Sequence, residues 1–183
     1  MRITILNGEP DAGSAFELYL RELSGGLDTL DHTVAVLDLR QLDLKGCSGC
    51  WGCWVKTPGQ CVKRDDSAKV CQAAINTDLL LLASPVTMGF TTALLKRALD
   101  QMIALVHPYV LVDAGEMHHR PRYAHYPDFG LLLGVGSDTD AEDIEITTAI
   151  WKRTARNLKS RLVFAAVADR TAREVANEIA LVA

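Results

Sequence analysis

Short apolar runs alternate with helix-length amphipathic stretches along the whole chain. RITIL (Arg2–Leu6) has the length and branched content of a buried strand. GSAFELYLRELSGGL after it repeats every 3.6 residues, as a helix does, with Gly25-Gly26 as its expected end. TVAVLDL (Thr33–Leu39) reads as a second strand, and DDSAKVCQAAINT opens with acids suited to a helix N-terminus. DLLLLASPV is apolar on both faces, the pattern of a central parallel strand, and TTALLKRALDQMIALV is a strong helix behind it. FGLLLGVG and RLVFAAVA are further strands, followed by the helices DAEDIEITTAIWKRTARNLKS and TAREVANEIALV. Five strands, each followed by a helix, predict an α/β fold: a doubly wound, five-stranded parallel sheet of order 2-1-3-4-5 with helices on both faces.

Ligands of such sheets bind outside the carboxyl ends of the strands. That rule singles out three loops: Asn7–Ser14, Ser84–Phe90 and Gly134–Asp138. A cysteine-rich segment, residues 45–64, follows the second strand and is expected at the same edge, as an irregular loop broken by its glycines. A second excursion, residues 107–127, interrupts the rhythm and is expected to be solvated.

Composition adds bounds. With 183 residues, 49% of them hydrophobic, the chain is expected to be one domain spanning residues 1–183. A net charge of −4 argues against nonspecific nucleic-acid binding, which needs a basic face. The N-terminal apolar run is too short for a signal peptide, and LLLLASPV is too short to span a bilayer. No membrane association and a cytoplasmic location are the expectations, and in that compartment clustered cysteines point to metal or redox work rather than structural disulfides.

The first loop, NGEPDAGSAF, opens the first helix. Its backbone amides, the close approach that Gly8 and Gly13 permit, and the Ser14 hydroxyl have the makings of a phosphate seat, while Glu9 and Asp11 oppose one. In SPVTMGF, Met88 and Phe90 are large apolar residues in a loop; they suit a wall against a flat aromatic ligand or a plug of the core.

SPVTMGFTTALLKRALDQ resembles the SP-x-x-x-G-x-x-x-x-LK-x-x-x-D signature of NAD(P)H-dependent FMN reductases and iron–sulfur flavoproteins, which share a flavodoxin-like fold. CSGCWGCWVKTPGQCVKRDD is similar to the cysteine insert of the same families. The resemblance implies FMN as cofactor, with Pro85, Val86, Thr87, Met88, Gly89 and Phe90 against its ring, Gly8, Gly13 and Ser14 at its phosphate, and Ser137 at the ring edge. The family's phosphate loop usually reads G-S-P-R-x-x-G-N-[ST]; here Glu9 replaces the serine, Asp11 the basic residue, Ser14 the asparagine and Ala15 the hydroxyl. NAD(P)H as electron source, a redox partner protein or small-molecule acceptor, and a homodimer or homotetramer follow from the same resemblance.

Cys47, Cys50, Cys53 and Cys61 stand as C-x2-C-x2-C-x7-C. Two-residue gaps let successive thiolates turn onto one centre and the distant fourth close it, which suits a four-iron, four-sulfide cluster. Zinc held by four thiolates is a second reading, and thiols that pack or cycle as a disulfide without metal a third. Cys71, on the following helix, reads as a buried inert thiol. His118, His119 and His125 carry no carboxylate spacing for a metal site, and Arg120 and Arg122 are candidates for nucleotide phosphates. The function expected is an FMN-dependent oxidoreductase or electron-transfer flavoprotein with an iron–sulfur cluster. The alternative is a metal-binding interaction module of the same fold that has lost FMN.

Overall fold

The run LLLLAS offers water no polar face, so it belongs in the middle of a sheet. The computed structural model, which describes residues 1–182, places it there. β3 (Leu79–Thr87) lies between β1 (Arg2–Asn7) and β7 (Asp128–Gly134), with β2 (Thr33–Asp38) and β8 (Leu162–Val167) at the edges. All five are parallel, in the order β2-β1-β3-β7-β8, the flavodoxin-like arrangement expected. Three strands go beyond the expected five. β4 (Phe90–Thr91) folds back antiparallel on the end of β3, and β5 (Val106–Asp113) and β6 (Glu116–Pro121) form a separate hairpin.

Helices cover both faces. α1 (Ala15–Asp28) and α6 (Ala172–Val182) bury Leu23, Leu27, Val175 and Ile179 against Ile3, Ile5 and Leu81. α3 (Ser67–Ile75), α4 (Ala93–Gln101) and α5 (Ala141–Asn157) bury Val70, Leu95 and Trp151 against Leu6, Leu80 and Leu82. α1 does not end at Gly25-Gly26 as expected. Burying Leu27 carries the helix through both glycines, and a Cβ on Gly26 would stand only 3.3 Å from that of Ala176, so the small residue admits α6.

The cysteine segment is not wholly irregular either: α2 (Gly52–Val55) forms behind Trp51, which takes the left-handed conformation at φ 57°. The hairpin is solvated along most of its length, as expected, but anchored at its tip. Glu116 accepts from Arg153 at 2.9 Å and Arg156 at 3.1 Å on α5, and buried His118 lies 3.1 Å from both Glu116 and Asn157. Among the described residues no helix is long and apolar enough to cross a membrane.

Candidate functional site

The loops after β1 and β3 are pinned together at the carboxyl edge of the sheet. The Gly8 N–H donates to the Ala83 carbonyl at 2.8 Å, and the Thr92 hydroxyl, at the N-cap of α4, donates to the Gly8 carbonyl at 2.7 Å. Glycine suits the close approach at residue 8: a Cβ there would sit a tight 3.1 Å from Ala83 O, Leu95 Cβ and Thr92 Oγ1 alike. Phe16 of α1 covers Gly134, so the end of β7 joins the same edge, where Ser137 is exposed.

The loop after β3, expected to be the ring loop, turns at Met88 and Gly89, both left-handed, at φ 52° and 76°. Met88 is 96% exposed, so it presents an apolar side chain to whatever binds there. Phe90 goes the other way: it stacks on the fully buried Trp151 at 6.4 Å, serving the core rather than forming a wall. The Gly89 carbonyl accepts from Thr147 at 3.2 Å, and a Cβ on Gly89 would meet Asp143 Oδ1 at 2.8 Å. The acids after Ser137 are explained locally, since Asp140 and Asp143 form a reciprocal capping box at the start of α5.

The loop after β1 holds carboxylates of its own where a phosphate would lie. Glu9 is buried, and its carboxylate accepts the Asp11 N–H at 2.9 Å. Glu17, also buried, accepts the Gly13 N–H and a guanidinium N–H of Arg40, and Arg21 donates to it at 3.1 Å. The Gly13 N–H first, then Arg40, holds the Glu17 carboxyl down at about 2. Arg40 also reaches the Glu9 carbonyl at 3.3 Å, and Asn7 donates to Asp38 at 2.7 Å beside it. Neither Glu17 nor Arg40 was among the residues expected from sequence. The signal for Glu17 is Ser14-x-x-Glu17, a capping-box spacing, of which half forms: Ser14 Oγ accepts the Glu17 N–H at 3.0 Å, while the carboxylate reaches Gly13 instead. The loop as folded therefore does not fit the phosphate of an FMN group, whose site is filled by the chain's own carboxylates.

The cysteines do not join that edge. Cys47, Cys50, Cys53 and Cys61 line one cavity of about 460 Å³, with Trp51, Trp54, Leu99, His119, Asn157 and Leu158 among its other walls. Leu99 lies late in α4, and Asn157 closes α5. From Asp143, which meets the ring loop, to Asn157 is 14 residues of helix, about 21 Å at 1.5 Å per residue. The expected convergence at one edge thus fails, because residues 42–45 carry the chain away from β2 to the far end of α4, where Gln101 donates to the Lys45 carbonyl at 2.5 Å.

Within the cavity Trp51 stacks on Trp54 at 4.7 Å, and Trp54 is fixed by donating to Val106 O at 2.9 Å and Ile103 O at 3.2 Å. The Gly52 N–H draws the Cys50 thiol down, whereas burial and then the neighbouring cysteines push Cys53 up. The Lys63 N–H points at Cys61 Sγ from 3.4 Å. His119 tilts against Trp54 at 4.9 Å, and its Nδ1 is buried without a partner. Among the described residues no three His, Cys, Asp or Glu side chains meet around one point as a bound metal requires, so neither the zinc reading nor the iron–sulfur reading of these cysteines finds a preformed site. Cys71 is buried as expected, its thiol pushed up to about 12 by burial. Arg122 is spent inside the fold, donating to Ala104 O at 3.1 Å and Val106 O at 3.3 Å, so it is not free for a nucleotide.

The family model for NADPH-dependent FMN reductase matches residues 1–125, and the chain belongs to that family. It is by class an NAD(P)H-dependent flavin oxidoreductase. Comparison with curated proteins returned no match. Among solved structures, RosB with bound intermediate OHC-RP (8-demethyl-8-formylriboflavin-5'-phosphate) is similar at 14% identity and TM-score 0.64. That comparison covers 91% of this chain but only 64% of RosB, so the chain spans less than two thirds of that protein. An azoreductase from Bacillus anthracis str. Sterne is similar at 11% identity and TM-score 0.68, covering 99% of this chain and 92% of that one. An NAD(P)H:quinone oxidoreductase from Methanothermobacter marburgensis is 18% identical at TM-score 0.62, covering 98% and 95%. At these identities the likeness is one of fold.

Proposed function

We propose that the chain holds a flavin ring against Pro85–Phe90, takes electrons from NAD(P)H, and delivers them to a small-molecule acceptor or a redox partner protein. The observation that carries this is the ring loop: an exposed, left-handed Met88-Gly89 turn at the carboxyl edge of β3, backed by Thr147 and Asp143 of α5. A bound flavin supplies uptake and release of electron pairs or single electrons. The chain's own contribution is to orient and shield. Pro85, Val86 and Phe90 set the loop on the core, Thr87, Met88 and Gly89 face the ring, and Ser137 stands at its edge. Gly8 locks the neighbouring loop beside it, and Gly13 and Ser14 shape the turn into α1.

At the far end of α5, Cys47, Cys50, Cys53 and Cys61 are proposed to hold a four-iron, four-sulfide cluster. Support comes from four thiols on one cavity, backbone N–H groups aimed at two of the sulfurs, two stacked tryptophans as a shield, and an unpartnered His119 nitrogen. The roughly 21 Å along α5 separates that cavity from the ring loop of the same chain. A homodimer or homotetramer that brings the cavity of one copy to the ring loop of another accounts for both.

The test is an absorbance spectrum with iron and sulfide analysis on protein purified without oxygen, followed by NAD(P)H oxidation with a quinone acceptor. Flavin absorbance, about four irons per chain and quinone-dependent turnover are expected. Flavin and turnover without iron would reduce the cysteines to packing or disulfide roles. Iron without flavin binding would select the interaction-module reading, which the carboxylates of the first loop favour.

A further inference from the structure

The β1–α1 loop bears on which flavin the ring loop accepts. In a sheet of this kind the loop opening α1 is the anion seat, because first-turn N–H groups and the helix dipole point there. Here that seat is already furnished with negative charge. Glu17 is 2% exposed, takes the Gly13 N–H, and engages the guanidinium groups of Arg40 and Arg21. Glu9, 5% exposed, takes the Asp11 N–H, and the Glu9 N–H is itself given to Asn7 at 2.9 Å. Asp38 lies 3.7 Å from Arg40 and adds a third carboxylate.

A phosphate dianion arriving here would displace a paired carboxylate or share the remaining N–H groups with three carboxylates around it. Two first-turn N–H groups, those of Ala15 and Phe16, take no acceptor among the described residues. The potential a phosphate meets there is set by Glu17 in the same turn and Glu9 across the loop. The Met88-Gly89 turn is backed by Thr147 and Asp143 of α5 and makes no hydrogen bond to these three carboxylates, so the ring contacts do not depend on what the ring's side chain carries.

We infer that Glu17, held by Gly13, Arg40 and Arg21, stands in for the flavin phosphate, so this chain recognises flavin through its ring and accepts unphosphorylated riboflavin at least as well as FMN. Glu17 is then a specificity-determining residue rather than a catalytic one. The inference rests on the proposed flavin site at the ring loop.

Titrating the full-length native protein with riboflavin and with FMN, following quenching of flavin fluorescence, tests it without turnover. Riboflavin binding at least as tightly as FMN, within about threefold, is the expected result. FMN binding tighter by more than about threefold overturns the inference and leaves the flavin site standing. If neither flavin binds, the ring-loop reading itself falls, and the inference with it. The Glu17→Gln variant keeps the side chain's shape and removes its charge. It should tighten FMN by roughly tenfold or more while leaving riboflavin unchanged, and an unchanged FMN affinity in a folded variant overturns the assignment to Glu17. Should that variant not fold, the native comparison decides alone.

Discussion

Thr92→Val tests whether the two loops of the candidate site are held together by one hydroxyl. Valine keeps the branched shape and volume but can neither donate to the Gly8 carbonyl, now 2.7 Å away, nor cap α4. Thr92 is buried, so the Gly8 carbonyl would lose its partner away from water, at a cost of about 1–3 kcal/mol. The cap adds less than usual. Thr92 Oγ1 accepts the Leu95 N–H at 3.5 Å, a long bond, so about 0.5 kcal/mol, the low end of the range, is appropriate. The bond from the Thr92 N–H to Ser84 Oγ, at 2.9 Å, is untouched. The total is about 1.5–3.5 kcal/mol, which for a chain of this size lowers Tm by roughly 3–14 °C. Urea unfolding followed by circular dichroism gives the stability difference directly, and thermal unfolding gives the shift. Thr92→Ser, which keeps the hydroxyl, should fall well short of that loss. A Thr92→Val protein within about 0.5 kcal/mol of native would refute the claim that this hydroxyl ties the edge together.

Gly89→Ala forces a side chain into a left-handed turn and against Asp143 Oδ1 at 2.8 Å; flavin affinity should fall several-fold with α/β secondary structure retained, as fluorescence titration and circular dichroism would show. The Glu17 carboxyl ionises near 2 in the folded protein against an ordinary 4.5, so its contribution to stability is present above about 4.5 and is lost as pH falls toward 2. Acid unfolding curves should show that loss in the native protein and not in Glu17→Gln. Alkylation of the metal-free protein at neutral pH, read by mass spectrometry, should label Cys50 first and Cys71 last, because the Gly52 N–H favours the Cys50 thiolate while burial pushes Cys71 to about 12. Early labelling of Cys71 would mean that α3 opens readily.

The alternation of apolar runs with amphipathic stretches was enough to count five parallel strands and to put Leu79–Thr87 in the middle, because a strand apolar on both faces has only the middle of a covered sheet to occupy. Met88 stood out in the sequence as a large apolar residue in a turn between strand and helix, and the structure leaves it exposed. Phe90 of the same loop was not legible, since only the position of Trp151, sixty-one residues on, decides that it faces inward. The hairpin of β5 and β6 escaped because its support lies in the ion pairs of Glu116 with Arg153 and Arg156, contacts across sequence that no local pattern encodes.

The two ends of the candidate machinery show the same division. Sequence alone determined that four cysteines share one segment and that a capping spacing places Glu17 three residues after Ser14. Only the tertiary structure decided that the cysteine cavity opens about 21 Å from the ring loop, because a rigid helix, α5, runs between them. It also decided that Glu17 meets Arg40, which follows β2, because β1 and β2 pair in parallel and bring their carboxyl ends side by side. Chemistry carried by adjacent residues is written along the chain; chemistry made by charges that meet across strands exists only once the sheet has formed.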